Sequence, residues 1–228
     1  MTQKAAQDGH FSLVLGGDHS VAMGSISGVL RERPNLGVLW VDAHADINTM
    51  DTSASGNIHG MPVSFLLRLL EVTELPGCEW MADVPKLLPE NLVYVALRDV
   101  DDGEKRLLRK LGIKAFTMHD VDHHGIGKVM EMALDTLVGK GERPLHMSFD
   151  IDATDPSIAP ATGTAVVGGL NYRESHYVCE AMAETRLMGS MDMVEVNATL
   201  GKTKEDGDRT VAEALRLIGS SLGQSIID

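Results

Sequence analysis

Cysteine is scarce in this 228-residue chain: Cys78 and Cys179 stand far apart and belong to no motif. That excludes a disulfide framework and points to a reducing compartment, with both thiols as core filler. Cations are short as well. Twenty Lys and Arg face 33 Asp and Glu, a net charge of −13, which disfavours nucleic acid and anionic membrane surfaces as partners. No apolar run reaches membrane-spanning length. The opening "MTQKAAQDGH" is neither a signal peptide nor an Arg-rich transit peptide. Low-complexity tracts, internal repeats and linker-like stretches are lacking too, so the expectation is one domain over residues 1–228.

What remains is a chain that is 43% hydrophobic and 23% charged, able to bury a sizeable core. Short β-rich runs alternate with helical stretches. Strands are expected at Ser12–Leu15, Leu36–Val41, Leu92–Leu97, Ile113–Phe116, Leu145–Asp150 and Asp192–Val196. Most are continuously apolar, as strands covered on both faces must be. Helices are expected at Ser20–Glu32, Pro62–Glu71, Asp102–Leu111, Gly127–Val138, Tyr172–Thr185 and Lys204–Leu222. The alternation predicts an α/β fold: a three-layer α-β-α sandwich on a mostly parallel sheet. Ligands of such sheets bind beyond the carboxyl ends of the strands.

Acids and histidines gather at those ends. "GGDHS" (16–20) follows the first strand and "DAHAD" (42–46) the second; "DID" (150–152) closes the fifth, and Glu195 and Asn197 close the last. Alternate side chains of an extended segment point the same way, so Asp42, His44 and Asp46 can share one site, as can Asp150 and Asp152. With His19 they make six candidate metal ligands. Four converging carboxylates repel and would raise one another's pKa; two divalent cations balance them. Six ligands for two ions require bridges, and Asp42 and Asp150, one from each strand, are the natural pair. Oxygen-rich coordination suits manganese or magnesium better than structural zinc. Two such ions, roughly 3.5–4 Å apart, lower the pKa of a shared water toward about 7. Asp18 and Asp155 read as turn or cap residues instead.

The motifs "GGDHS", "DAHADIN", "SGNIHG" and "SFDIDATDPSIAPATGT" together resemble the ureohydrolases, the binuclear manganese amidinohydrolases, and among them the arginases. The resemblance runs from about residue 11 to the C-terminus. It implies an arginase-like fold with two Mn2+ per chain, one on His19, Asp42, Asp46 and Asp150, the other on Asp42, His44, Asp150 and Asp152. It implies hydrolysis of the guanidinium of L-arginine to L-ornithine and urea by a metal-bridging hydroxide, with Asp46, His59 and Glu195 as catalytic residues. His59 would shuttle protons, and Glu195 would meet the planar guanidinium with two hydrogen bonds. Asn48, Ser53, Ser55 and nearby Asn57 would bind the substrate α-carboxylate, Asp101 and Glu104 the α-amino group, and Thr164 would line the same pocket. By resemblance the chain is a homo-oligomer, trimer or hexamer, and cytoplasmic, a mitochondrial location staying open.

Two departures accompany the likeness. Ala198 stands where the family usually has Pro, and the family's N-terminal strand–helix units, with a Gly/Arg-rich loop, have no counterpart before "GGDHS". The catalytic domain therefore reads as N-terminally truncated, with the Ser12–Leu15 strand as an exposed sheet edge. The rival enzymes are agmatinase, guanidinobutyrase and formimidoylglutamase; the rival of another class is a catalytically weak metal-binding partner subunit. His10, His119, His123, His124, His146 and His176 receive no role, and "GIGK" (125–128) lacks the spacing of a phosphate loop.

Overall fold

The chain is seen here as a computed structural model that describes residues 1–139 and 141–224. Within these residues six strands form one sheet: β1 Ser12–Leu15, β2 Gly37–Val41, β3 Leu92–Leu97, β4 Lys114–Thr117, β5 Leu145–Asp150 and β6 Met188–Val194. Among the described residues eight α-helices accompany them: α1 Thr2–Gln7, α2 Ala22–Glu32, α3 Pro62–Leu66, α4 Asp102–Leu111, α5 Met118–His124, α6 Ile126–Val138, α7 Tyr172–Glu184 and α8 Lys204–Ser221. The sheet order is β1-β6-β5-β2-β3-β4, and every pairing is parallel.

Parallel strands need helical crossovers, and these cover both faces. On one face Leu39, Val41, Met147, Phe149 and Met193 pack with α6, α7 and α8; on the other Val38, Trp40, Leu92 and Tyr94 pack with α2 and α3. Neighbouring residues of β2 thus serve opposite cores, which is why its sequence GVLWV is buried throughout. Each fully buried Leu or Phe contributes about 2 kcal/mol of transfer free energy. Among the described residues no helix is long and apolar enough to cross a membrane.

The element boundaries differ from expectation where backbone conformation intervenes. The helix expected over Pro62–Glu71 ends at Leu66, because Arg68 takes a left-handed φ of 56° and turns its guanidinium onto the Phe65, Met81 and Val84 carbonyls. The last strand runs Met188–Val194 rather than Asp192–Val196: Met188, Ser190 and Met191 pair with β5 across a register shift at Gly189, and Glu195, at φ 59°, ends the strand. The helix α5 escaped the reading, being rich in His and Asp yet held by a capping box from Thr117 and Asp120.

The chain runs outward from β2 to β3 and β4, and from β5 to β6 in the opposite direction. The reversal point between β2 and β5 is where ligands of open α/β sheets bind. Asp42 and Asp150 flank it.

Among the described residues β1 pairs only with β6 and is an edge strand. Leu13 and Leu15 expose 37% and 66% of their surface, so an uncharged, apolar strand lies open to pairing with another chain. Leu15→Lys is expected to suppress concentration-dependent association, read by light scattering, while changing stability by no more than about 0.5 kcal/mol. Unchanged association would show that this edge is not the sticky surface.

Candidate metal and active site

The floor of the site is built by β2 and β5. His19, in a single turn after β1, points its Nδ1 at three carboxylates: Asp42 Oδ2 at 3.1 Å, Asp46 Oδ2 at 3.2 Å and Asp150 Oδ2 at 3.2 Å. His44 Nδ1 lies 3.1 Å from Asp152 Oδ2 and 3.4 Å from Asp42 Oδ1. Asp42 therefore faces His19 with one oxygen and His44 with the other. Two groups able to hold a cation share it: His19, Asp42 and Asp46, and Asp42, His44 and Asp152. Asp150 reaches the first of these through His19, while its Oδ1 accepts the Asp152 N–H at 2.8 Å.

The electrostatics fit a cation. Burial and the charge on Asp42 push Asp46 up to about 7. Burial, then the neighbouring aspartates, raises Asp150 and Asp152. The histidines go the other way from what burial alone would do: against desolvation, Asp152 and Asp42 push His44 up to about 12, and Asp150, Asp42 and Asp46 raise His19. In return the two imidazoles outweigh the burial of Asp42 and hold it below the usual carboxylate range. Both shifts mark a cluster whose negative charge calls for a positive partner. His19 Nδ1 is also buried without a hydrogen bond, although three carboxylate oxygens surround it. A cation at that point gives nitrogen and oxygens a common partner. The donors are carboxylates and imidazoles with no thiolate, a set suited to manganese or magnesium.

Behind these groups stands a layer that holds them still. The His19 ring stacks on Trp40, with centroids 4.1 Å apart and planes 11° apart, and the Trp40 indole donates to Asp42 Oδ2 at 2.9 Å. Ser148 Oγ lies 2.8 Å from His19 Nε2, leaving Nδ1 for the cluster. Arg98 is spent on backbone, donating to the Asp152, Ala153 and Val166 carbonyls, which ties three loops beneath the site. Trp40→Phe keeps the stacking and removes the indole donor. It is expected to weaken metal binding about 10–100-fold, as loss of a partner behind a ligand does. Metal titration of the variant checks this; unchanged affinity would make Trp40 packing alone.

Above the floor lies a cavity of about 140 Å3. His19, His44, Asp46 and Asp150 form its base; Asn48, Ser53, Ser55, His59, Asp101, Thr164 and Glu195 line its walls, with Asp99 and Glu104. Asn48 Nδ2 donates to Asp101 Oδ2 at 2.9 Å, and Thr164 Oγ1 to Asp152 Oδ2 at 2.9 Å. Glu195 Oε1 accepts the His19 N–H at 2.7 Å, and burial raises its pKa. Asp46 and Glu195 both have left-handed φ angles, 49° and 59°, strain that non-glycine residues hold only where the surroundings fix them. His59 is half-exposed, its Nδ1 3.7 Å from Asp18 Oδ2.

Two expected substrate residues sit differently from the rest. Asn57 is exposed and lies outside the cavity lining. Glu104 reaches the wall, but its oxygens accept the Ile47 and Asp101 N–H groups, so it fastens the 42–48 segment to α4. Asp18 caps the turn that carries His19, and Asp155 accepts the Ser157, Gly168 and Gly169 N–H groups, the turn roles their sequence context suggests. Trp40, Ser148, Arg98 and Asp99 were not picked out from sequence. Trp40 and Ser148 stand two residues before Asp42 and Asp150, and that same-face spacing was the available signal.

Comparison with known proteins identifies the family. The Arginase family model matches residues 1–223. The chain is 53% identical over 219 residues to human Arginase-1, covering 95% of this chain and 67% of that protein. It is 51% identical over 227 residues to rat mitochondrial Arginase-2, covering 99% and 64%. It thus spans about two thirds of the length of these curated relatives. Among solved structures, the arginase of Bacillus caldovelox superimposes with a TM-score of 0.90 at 42% identity, over 99% of this chain and 73% of that one. Sequence, fold and the shared-aspartate cluster at the reversal point agree: the chain belongs to the arginase family.

Proposed function

We propose that this cavity hydrolyses the guanidinium group of L-arginine to L-ornithine and urea. The observation that carries the reading is Asp42, one carboxylate turned toward two imidazole–carboxylate groups at the base of a polar cavity whose wall holds Glu195. His19, Asp42, Asp46 and Asp150 would hold one cation, and Asp42, His44, Asp150 and Asp152 a second, with manganese in both places. When bound, such ions supply a Lewis acid and a water acidified toward a pKa of about 7.

The protein's own residues do the rest. Glu195 accepts hydrogen bonds from the guanidinium and holds its carbon over the cluster. Asn48, Ser53 and Ser55 offer short polar groups to the α-carboxylate, and Asp101 faces the α-ammonium. His59, half open to solvent, carries a proton to the departing amine. A homo-oligomer, trimeric or hexameric, in the cytoplasm completes the reading.

Arginine and agmatine separate this from the nearest rival. Agmatine lacks the α-carboxylate, so it leaves the Asn48–Ser55 loop without a job. With manganese added, kcat/KM for L-arginine is expected to exceed that for agmatine by at least about 100-fold. Preference for agmatine would overturn the substrate assignment.

A further inference from the structure

We propose that the groove between α4 and the edge strand β4 is a docking site for an acidic, extended peptide segment of another protein. The groove holds about 380 Å3 and lies away from the metal cluster. Three cations line it, Lys105 and Arg109 from α4 and Lys114 from β4, around an apolar floor that includes Leu108 and Ala115.

The charge there runs against the rest of the molecule. Residues 105–114 read KRLLRKLGIK: five of the chain's 20 cations and no acid, in a chain of net charge −13. Lys105, Arg106, Arg109, Lys110 and Lys114 are all exposed. Only Lys105 has an ion-pair partner among the described residues, the exposed Asp102 at 3.1 Å. Ordinary structural reasons cover part of this. Cations in the last turn of α4 suit the helix dipole, and a lysine on a sheet edge blocks unwanted pairing. Neither reason brings Lys105, Arg109 and Lys114 to one groove.

The backbone supplies the second half of the argument. Among the described residues β4 pairs only with β3, so its other side offers free main-chain donors and acceptors. An added strand would satisfy them. Successive side chains of that strand alternate between the two faces of the sheet: acids on the α4 face reach Lys105 and Arg109 beside Leu108 and Ala115, and residues on the other face meet Phe116 and Lys114, whose Nζ lies 4.6 Å from the Phe116 ring centre. A second copy of this chain is a poor occupant through the same strand, because its β4, KAFT, brings a further lysine and no acid to a basic groove.

The test uses a fluorescein-labelled octapeptide of alternating Glu and Val, titrated with the whole chain and followed by anisotropy. Saturable binding is expected at low ionic strength, weakening as salt screens it. Arg109→Glu with Lys114→Glu should lower affinity at least tenfold. Lys128→Glu with Lys204→Glu, the same charge change elsewhere, should leave it within twofold. A backbone N-methylated peptide should bind at least fivefold more weakly than its parent, which plain charge attraction does not predict. Absence of binding at low salt, equal binding by the Arg109/Lys114 variant, or indifference to N-methylation would each overturn the proposal. Sodium tripolyphosphate binding where the peptide does not would make the groove a small-anion site and the peptide assignment wrong. Circular dichroism and urea release from arginine verify that both paired variants are folded.

Discussion

Asp42→Ala is expected to abolish metal binding at both halves of the cluster and to lower urea release from arginine at least about 1000-fold. The carboxylate is fully buried and faces His19 with one oxygen and His44 with the other. Removing it takes a ligand from each group at once. What remains is a pair of imidazoles that have lost the one carboxylate they share, beside Asp46, Asp150 and Asp152. Loss of either partner from a buried charge pair costs about 3–5 kcal/mol, so a lower melting temperature should accompany the lost metal. Elemental analysis after dialysis measures occupancy. Asp152→Ala is the informative companion: it touches only the His44 group and should spare the first ion. Retention of one full equivalent by Asp42→Ala would show that Asp42 is not shared.

Glu195→Gln is expected to reduce kcat/KM for arginine about 100- to 1000-fold with metal content unchanged. Glu195 already accepts the His19 N–H through Oε1, and glutamine can keep that bond through its amide oxygen. Its charge opposite the guanidinium is what disappears. Leaving a desolvated charged partner unpaired costs about 3–4 kcal/mol, and each 1.4 kcal/mol is tenfold. Steady-state kinetics together with metal analysis separate this from ligand loss. A variant that loses metal would place Glu195 among the groups supporting the cluster instead of the substrate.

Much of this was legible in the sequence because parallel strands buried on both faces are written as continuous apolar runs. GVLWV and LVYVAL announce β2 and β3 on that ground. The period-2 spacing of Asp42, His44 and Asp46 was visible for the same geometric reason, and the structure brings all six ligand candidates to one place. The residues behind them were harder. Trp40 and Ser148 follow the strand period and could have been read. Arg98 could not: its value lies in carbonyls supplied by residues 152, 153 and 166, distant in sequence. The start of β6 was hidden because Gly189 and Ser190 have turn-like chemistry; pairing of Met188 and Ser190 with β5, around Gly189, makes the segment a strand. Glu104 looked like a substrate contact, yet the Ile47 and Asp101 N–H groups claim its carboxylate, a bond that exists only once α4 docks on the 42–48 segment.

The most direct measurement is urea formed from L-arginine by the metal-free chain as manganese is added in known equivalents, with ornithine counted alongside. The account predicts urea and ornithine in equal amounts and a rate that keeps rising to two equivalents per chain. No urea at any manganese level, or a rate that saturates at one equivalent, would contradict it.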